Sequence, residues 1–280
     1  MPEIAEVYGM LETVEANIDQ MLKESIRRYP ALKWAKEYHI NSRNEKMTFD
    51  DSQFLIPLYK LIDTTPRMVV QKSVQCGLSE LFIIQSHIEA GERGLSVMYV
   101  LPKYELRNRF VNNRIDRLHK KVDMYKLLVS QAATTVHRTS LMHFGKGTLV
   151  YVGSNVADEF IEVPVDSAYV DEKDKCNQKN LLMLPDRYSA SPYQYHREIA
   201  NPTIDKYGIN ERYRTSSMSK WSVKCSHCGE WIAFDFFKHV MREVDDNEFE
   251  IILIDATETP IERPKKNNGS SIQEKRNAIL

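Results

Sequence analysis

In RMVVQKSVQCGLSELFIIQSHIEA, residues 67–90, a β-prone apolar run after Pro66 passes through a polar loop into a mostly apolar segment. Arg67–Gln71 predicts a short buried strand, and Ser79–Ala90 predicts a helix closed by Gly91 and Gly94. The loop between them is K-S-V-Q-C-G-L-S at 72–79. It is a departure from the phosphate loop G-x-x-x-x-G-K-[ST], which also joins a strand to a helix. Gly77 and Ser79 keep the second glycine and the hydroxyl, Leu78 stands where the lysine is usual, and Lys72 takes the place of the first glycine. Backbone N–H groups along Ser73, Gln75, Cys76, Gly77 and Leu78, with the helix N-terminus behind them, suit a bound phosphate. Ser79 is the expected Mg²⁺ ligand, and the flexible stem of Lys72 can carry its charge to the β- and γ-phosphates. On spacing alone, a plain strand–turn–helix with a surface lysine accounts for the stretch equally well.

Further along, Leu95–Leu101, Thr148–Val152, Val163–Val170 and Tyr195–Ala200 read as strands, and Tyr104–Lys121 reads as a long helix after Pro102. Strands alternating with helices imply an α/β fold with a mainly parallel sheet flanked by helices. The strand ending at Val170 runs into Asp171 and Glu172, the layout of a Walker B site. There Asp171 would hold Mg²⁺ and Glu172 would orient the attacking water, at the end of the strand where open α/β sheets bind ligands. Alone, Asp171–Lys175 (DEKDK) also fits a solvated charged loop. The phosphate loop upstream, in the right order, favours an ATP site.

Composition sets the frame. The 280 residues are 42% hydrophobic and 28% charged with net charge −1, which is ordinary for a globular chain and does not advertise nucleic-acid binding. No apolar run approaches the roughly 18 residues of a membrane span, and the acidic N-terminus lacks a signal-peptide layout, so a cytoplasmic place is expected. Residues 5–28 and Ala31–Tyr38 predict helices of an N-terminal extension over 1–45. An ATPase domain is expected over 46–222, a CxxC-containing appendage over 223–254 and a flexible tail over 255–280. Gln53, Phe54, Phe49 and Tyr59, upstream of the loop, are candidates for an adenine pocket, with core packing the commoner role for each.

Taken in order, QKSVQCGLSE, VMYVLPKYELRNRFVNNRIDRL, AYVDEKDK and REIANPTIDKYGINERYRTSSMSKWSVKCSHCGEW resemble the large terminase subunits of tailed phages, of the lambda type. The resemblance spans about 45–235 and rests on four motifs of unrelated chemistry in one order. It implies a P-loop ATPase of the ASCE type that moves double-stranded DNA into a procapsid. The implied partners are the small terminase subunit, the portal and copies of the chain in a ring, and the implied place is the host cytoplasm. It assigns Lys72, Gly77 and Ser79 to the phosphate loop, Asp171 and Glu172 to metal binding and catalysis, and Asn201, Pro202 and Thr203 to a coupling motif. Full-length members carry a nuclease domain beyond the ATPase, and here the acids of REVDDNEFE and LIDATE lie too close to the ATPase for one, so no cleavage is expected of this chain.

Lys103, Arg107, Arg114 and Lys121 fall nearly in line along a helix over 103–121, a stripe that fits DNA phosphate contacts or side chains lying solvated beside a core stripe. Arg114 and Arg187 are candidates for an arginine finger reaching a neighbouring subunit's ATP. Cys225 and Cys228 have the turn spacing of half a zinc site, with His227 or His239 as further ligands. Cys76 reads as a loop filler rather than a nucleophile. Two rivals stay open: a superfamily-2 type translocase or helicase, and a catalytically silent module that binds DNA or a partner.

Overall fold

A computed structural model describes residues 30–132, 139–161, 163–224 and 229–233. The expected helix over 5–28, the Cys225–Cys228 turn and the tail over 255–280 lie outside the described residues. Six strands form one sheet: β1 (Arg67–Gln71), β2 (Ser96–Leu101), β3 (Leu141–Phe144), β4 (Gly147–Gly153), β5 (Ser167–Asp171) and β6 (Tyr195–Ala200). Their spatial order is β1-β6-β5-β2-β4-β3, and every pairing is parallel except β3 with β4. The fold is thus a mostly parallel sheet flanked by helices, as the alternation of elements predicts. A small antiparallel pair, β7 (Ser222–Lys224) and β8 (Trp231–Ala233), lies beyond it in the chain.

The central strands are buried on both faces, which is why β2, β4 and β5 read as mainly apolar runs. Along β2, Val97, Tyr99 and Leu101 join one core cluster, and Met98 and Val100 join the other. The first cluster is roofed by α3 (Leu78–Gly91), a helix buried along nearly its whole length. Around it pack α1 (Pro30–Glu37), α2 (Ile56–Leu61) and the helical run that begins as α4 (Tyr104–Phe110) and continues through a π-helical turn at Val111–Ile115 into α5 (Asp116–Lys121). A further helix, α6 (Asp123–Ser130), closes that side. The second cluster is covered by α7 (Gln178–Leu181) and α8 (Leu184–Tyr188). Ala31, Leu32, Trp34 and Ala35 of α1 enter the main core, and the His39 ring just after it hydrogen-bonds Glu80 at 2.9 Å and Tyr125 at 2.8 Å. Phe49 and Tyr59, candidates for an adenine pocket, are core residues here, packed edge to face with centroids 5.0 Å apart.

Three local features depart from the sequence reading. The strand expected over Val163–Val170 begins at Ser167: Pro164 cannot donate to a ladder and Val165 N turns to Arg187 O at 3.0 Å, while the Asp166 carboxylate accepts from Ser96 N at 2.9 Å and from Ser191 Oγ at 2.7 Å. The edge strand β3 has no counterpart among the predicted strands, since LMHF is short. It returns to β4 through Gly145 and Lys146, and Gly145 adopts φ +57 with no room for a Cβ, which would meet Gly91 O at 2.4 Å. The π-helical turn inserts an extra residue into the 104–121 helix and rotates the turns after it, which breaks the single stripe of basic residues that an ideal helix implies.

The sheet and α3 are pinned by a buried ion pair. Arg197 of β6 and Glu89 of α3, both essentially inaccessible, lie 2.9 Å apart. Tyr169 donates to Glu89 at 2.8 Å, and Arg197 also donates to Ile62 O at 3.2 Å. Removing one partner strands the other charge in the core. Arg197→Leu is therefore expected to cost about 3–5 kcal/mol in urea unfolding, with Glu89→Leu on top of it recovering most of the loss.

Candidate functional site

The strand order sets up the site. β6 lies between β1 and β5, and all three run parallel with aligned C-terminal ends: Gln71 pairs with Ala200, and Asp171 with Ile199. The loop after β1, the segment after β6 and the acidic turn after β5 therefore emerge side by side at one edge, where open α/β sheets bind ligands. Lys72 N donates to Ala200 O at 2.9 Å, so the lysine extends the strand before the loop departs.

The loop itself turns through left-handed backbone at Gln75 (φ 59) and Gly77 (φ 80), and Gly77 caps α3. Its amide-rich bend and the start of a fourteen-residue helix make a cradle for an anion. Ser73 Oγ is buried and has no hydrogen-bond partner among the described residues. Cys76 is buried, and burial pushes its thiol up from the ordinary range, which fits a filler and not a nucleophile.

Lys72, 8% exposed, places its ammonium 2.8 Å from Glu172 Oε1. Burial works against its charge, but Asp171 and Glu172 outweigh that and raise its pKa. Asp171 is buried, accepts from Tyr99 OH at 3.0 Å, and has the Ser79 hydroxyl beside its carboxylate. Burial raises the pKa of Asp171 against the opposing pull of Lys72 and Ser79, and its Oδ1 has no partner in hydrogen-bonding geometry among the described residues. A buried carboxylate oxygen left open next to a serine hydroxyl is a hard-oxygen donor pair of the kind Mg²⁺ takes when substrate phosphates and waters supply the rest. Among the described residues no three His, Cys, Asp or Glu side chains gather into a metal cluster. The zinc expectation on Cys225 and Cys228 falls outside the described residues.

Glu172 adopts a left-handed conformation (φ 55), which is strained for a side chain with a Cβ. The next three residues hold it there. Lys173, buried, is 2.8 Å from Glu198 Oε1, and Asp174 Oδ2 accepts from Thr203 N at 2.9 Å and Thr203 Oγ1 at 3.0 Å. Lys175 closes on Glu172 Oε2 at 3.0 Å. Burial favours the neutral form of Glu172, but the bonds and charges of Lys72 and Lys175 lower its pKa overall. The composition of DEKDK fits a solvated loop; two of its side chains turn inward instead. Asn201 follows β6 directly, with its Oδ1 buried and unpartnered among the described residues, and Pro202 is buried behind it. Lys72, Ser79, Asp171, Glu172, Asn201 and Thr203 are thus brought to one edge of the sheet.

The three arginines separate. Arg107 is buried, with its guanidinium 2.9 Å from Glu159 and 3.2 Å from Tyr151 O, so it serves the interior and not a DNA phosphate. The sequence could not show this, because an ideal helix puts Arg107 on the same stripe as Arg114. Arg187 donates to Ile161 O at 2.6 Å, and its own carbonyl accepts from Val165 N, at the opposite end of β5 from Asp171. Arg114 is half-buried, 3.9 Å from Glu80 in the first turn of α3 and over the Phe110 ring at 5.7 Å.

The sequence profile of the phage terminase large subunit gpA ATPase domain matches residues 61–268. Among solved structures, the large terminase of bacteriophage HK97 superposes with a TM-score of 0.52 at 9% identity, covering 67% of this chain and 40% of that one. The ATPase domain of the Thermus phage P74-26 large terminase gives 0.47 at 12% identity, covering 60% and 72%. No curated protein matches the chain. At such identities the HK97 likeness speaks for the fold alone.

Glu198, beneath the acidic turn, accepts from His196 at 2.8 Å, Lys173 at 2.8 Å and Arg212 at 3.2 Å. Burial alone would raise its pKa, but His196 and Lys173 hold it down at about 2, against an ordinary value of 4.5. A depressed carboxylate stabilises the fold above its unfolded value and loses that contribution as pH falls from about 4.5 through about 2. Stability by thermal melts should therefore drop by roughly 3 kcal/mol across that window. Glu198→Gln should lower stability at pH 7 and flatten the acid limb.

Proposed function

This chain belongs to the family of the phage terminase large subunit gpA ATPase domain, and from that premise we propose that it hydrolyses Mg-ATP to drive double-stranded DNA into a procapsid. The ring of copies, the portal and the small terminase subunit are its proposed partners. The observation that carries the reading is the buried meeting of Lys72, Asp171 and Glu172 above an anion cradle, with the 2.8 Å Lys72–Glu172 pair at its centre.

In this reading the loop amides and Lys72 bind the phosphates of ATP. Phosphate oxygens compete with Glu172 for the Lys72 ammonium, so binding ATP releases the carboxylate that this lysine holds. Glu172 then turns to orient and deprotonate the attacking water, while Lys72 stabilises charge on the β- and γ-phosphates. Ser79 and Asp171 would hold Mg²⁺, which would supply neutralisation of the charge that develops on the phosphates. Asn201 and Thr203 form the coupling segment: Asn201, whose Oδ1 is buried without a partner among the described residues, would sense the phosphate, and Thr203 is bonded to Asp174. Arg114, beside Glu80 of α3, and Arg187, at the far end of β5, are both proposed as arginines that reach a neighbouring subunit's ATP. Most of the catalysis is positioning and charge stabilisation.

The test is Mg-ATP turnover by the purified chain with and without duplex DNA. The wild type is expected to hydrolyse ATP faster with DNA and to leave a tailed duplex unseparated. Glu172→Gln should keep nucleotide binding and lose about a hundredfold or more in kcat. Lys72→Ala should lose binding as well as turnover. DNA binding indifferent to ATP, with no nucleotide bound by the wild type, would leave a silent binding module instead, and strand separation would favour a helicase.

A further inference from the structure

We propose that Asp174 is a positioning residue that links the catalytic turn to the segment after β6, so that Glu172 and the coupling segment move as one body. The proposal rests on the reading of Glu172 and Asn201–Thr203 above and deepens it. Asp174 stands two residues after the strained Glu172, and its carboxylate is fully engaged in one direction. Oδ2 accepts from both the N–H and the hydroxyl of Thr203, at 2.9 and 3.0 Å, and Oδ1 accepts from Ile209 N at 2.6 Å. It thereby grips both ends of the 203–209 loop, the second at the start of α9 (Gly208–Arg214).

The approach is close enough to constrain the sequence. Gly208 has φ +55, and a Cβ there would stand 2.4 Å from Asp174 Oδ1. Behind the loop, Asn210 of α9 accepts from Lys206 N at 2.8 Å and donates to Gln71 at 2.9 Å, the residue just before Lys72. Arg212 reaches Glu198, which also holds Lys173. The loop and helix are therefore braced against the strands of both the phosphate loop and the acidic turn, while Ile204 and Tyr207 point outward, 62% and 40% exposed. A shift of Glu172 when Lys72 leaves it is passed through two peptide units to Asp174, and from there to a loop whose outer face is open. Conversely, whatever presses on that face reaches Glu172.

Hydrogen–deuterium exchange of the full chain with and without Mg-ATPγS tests the link directly. In the wild type, nucleotide is expected to change protection of the amides over 203–209. In Asp174→Ala, nucleotide should bind with its affinity within about twofold while the change over 203–209 disappears. In turnover, the KM for Mg-ATP should likewise stay, while the ratio of kcat with to without duplex DNA falls by about fivefold or more. Asp174→Asn, which keeps one acceptor oxygen, should fall between. Nucleotide binding that leaves 203–209 unchanged in the wild type, or an Asp174→Ala variant that keeps the wild-type response, overturns the proposal and leaves the ATPase reading standing. If Asp174→Ala melts well below the wild type, Thr203→Val, which removes only the hydroxyl bond, decides: an undiminished response at 203–209 overturns the link. A wild type that binds no nucleotide overturns the reading of the site, and the link with it.

Discussion

The structure turns on a charge arrangement that water would otherwise dissolve: one ammonium and two carboxylates held together at the buried edge of a parallel sheet. Lys72 and Asp171 are almost inaccessible, and neither would be tolerated there alone. Their mutual attraction holds them, and the sheet order makes it possible. Because β6 runs between β1 and β5 with aligned ends, the lysine that prolongs β1 reaches across to the acids that end β5. The same order delivers Asn201 into the gap between them. Shifting any of these registers by one residue would turn each side chain to the opposite face and dissolve the site.

Around this centre the chain uses further buried charges for rigidity. The Glu89–Arg197 pair locks α3, which carries Ser79, to β6, which carries Asn201 at its end. The Glu198 cluster locks the turn after Glu172 to α9. These pairs join elements far apart in sequence, so they set how the phosphate loop, the acidic turn and the segment after β6 stand relative to one another. Buried networks of this kind specify geometry more than they add net stability. For phosphoryl transfer, where positioning is most of the catalysis, that is the relevant property.

Much of this is legible in the sequence, and for a physical reason. Strands buried on both faces run apolar, as Ser96–Leu101 does, and Arg67–Gln71 and Tyr195–Ala200 can be read to the residue even though the second carries His196, Arg197 and Glu198. The phosphate loop and the acidic pair can be read because short spacings fix which side chains emerge at a strand's end. The features that cannot be read depend on partners distant in sequence. A charged turn facing water and one gripping Thr203 and Ile209 have the same composition, so Asp174 looks like surface. An arginine stripe facing solvent and one with Arg107 folded onto Glu159 differ only in what lies across from the helix. The π-helical turn that carries Arg114 out of line with Arg107 has no sequence mark at all. The family match covers residues 61–268 and so takes in these positions, but it speaks for the domain and not for the role of any one side chain.

Leu78 occupies the place where most phosphate loops carry their lysine, and it is 3% exposed, its side chain built into the core that roofs the sheet. The two forms of the loop are therefore not spelling variants of one design. Moving the lysine from 72 to 78 would bury an ammonium among apolar side chains and empty the slot between Glu172 and Asp171 in the same stroke. A lysine at 78 would need the packing beneath the helix rebuilt before the charge could be accommodated. The position of the lysine in this loop is thus set by the packing beneath the helix and not by charge alone.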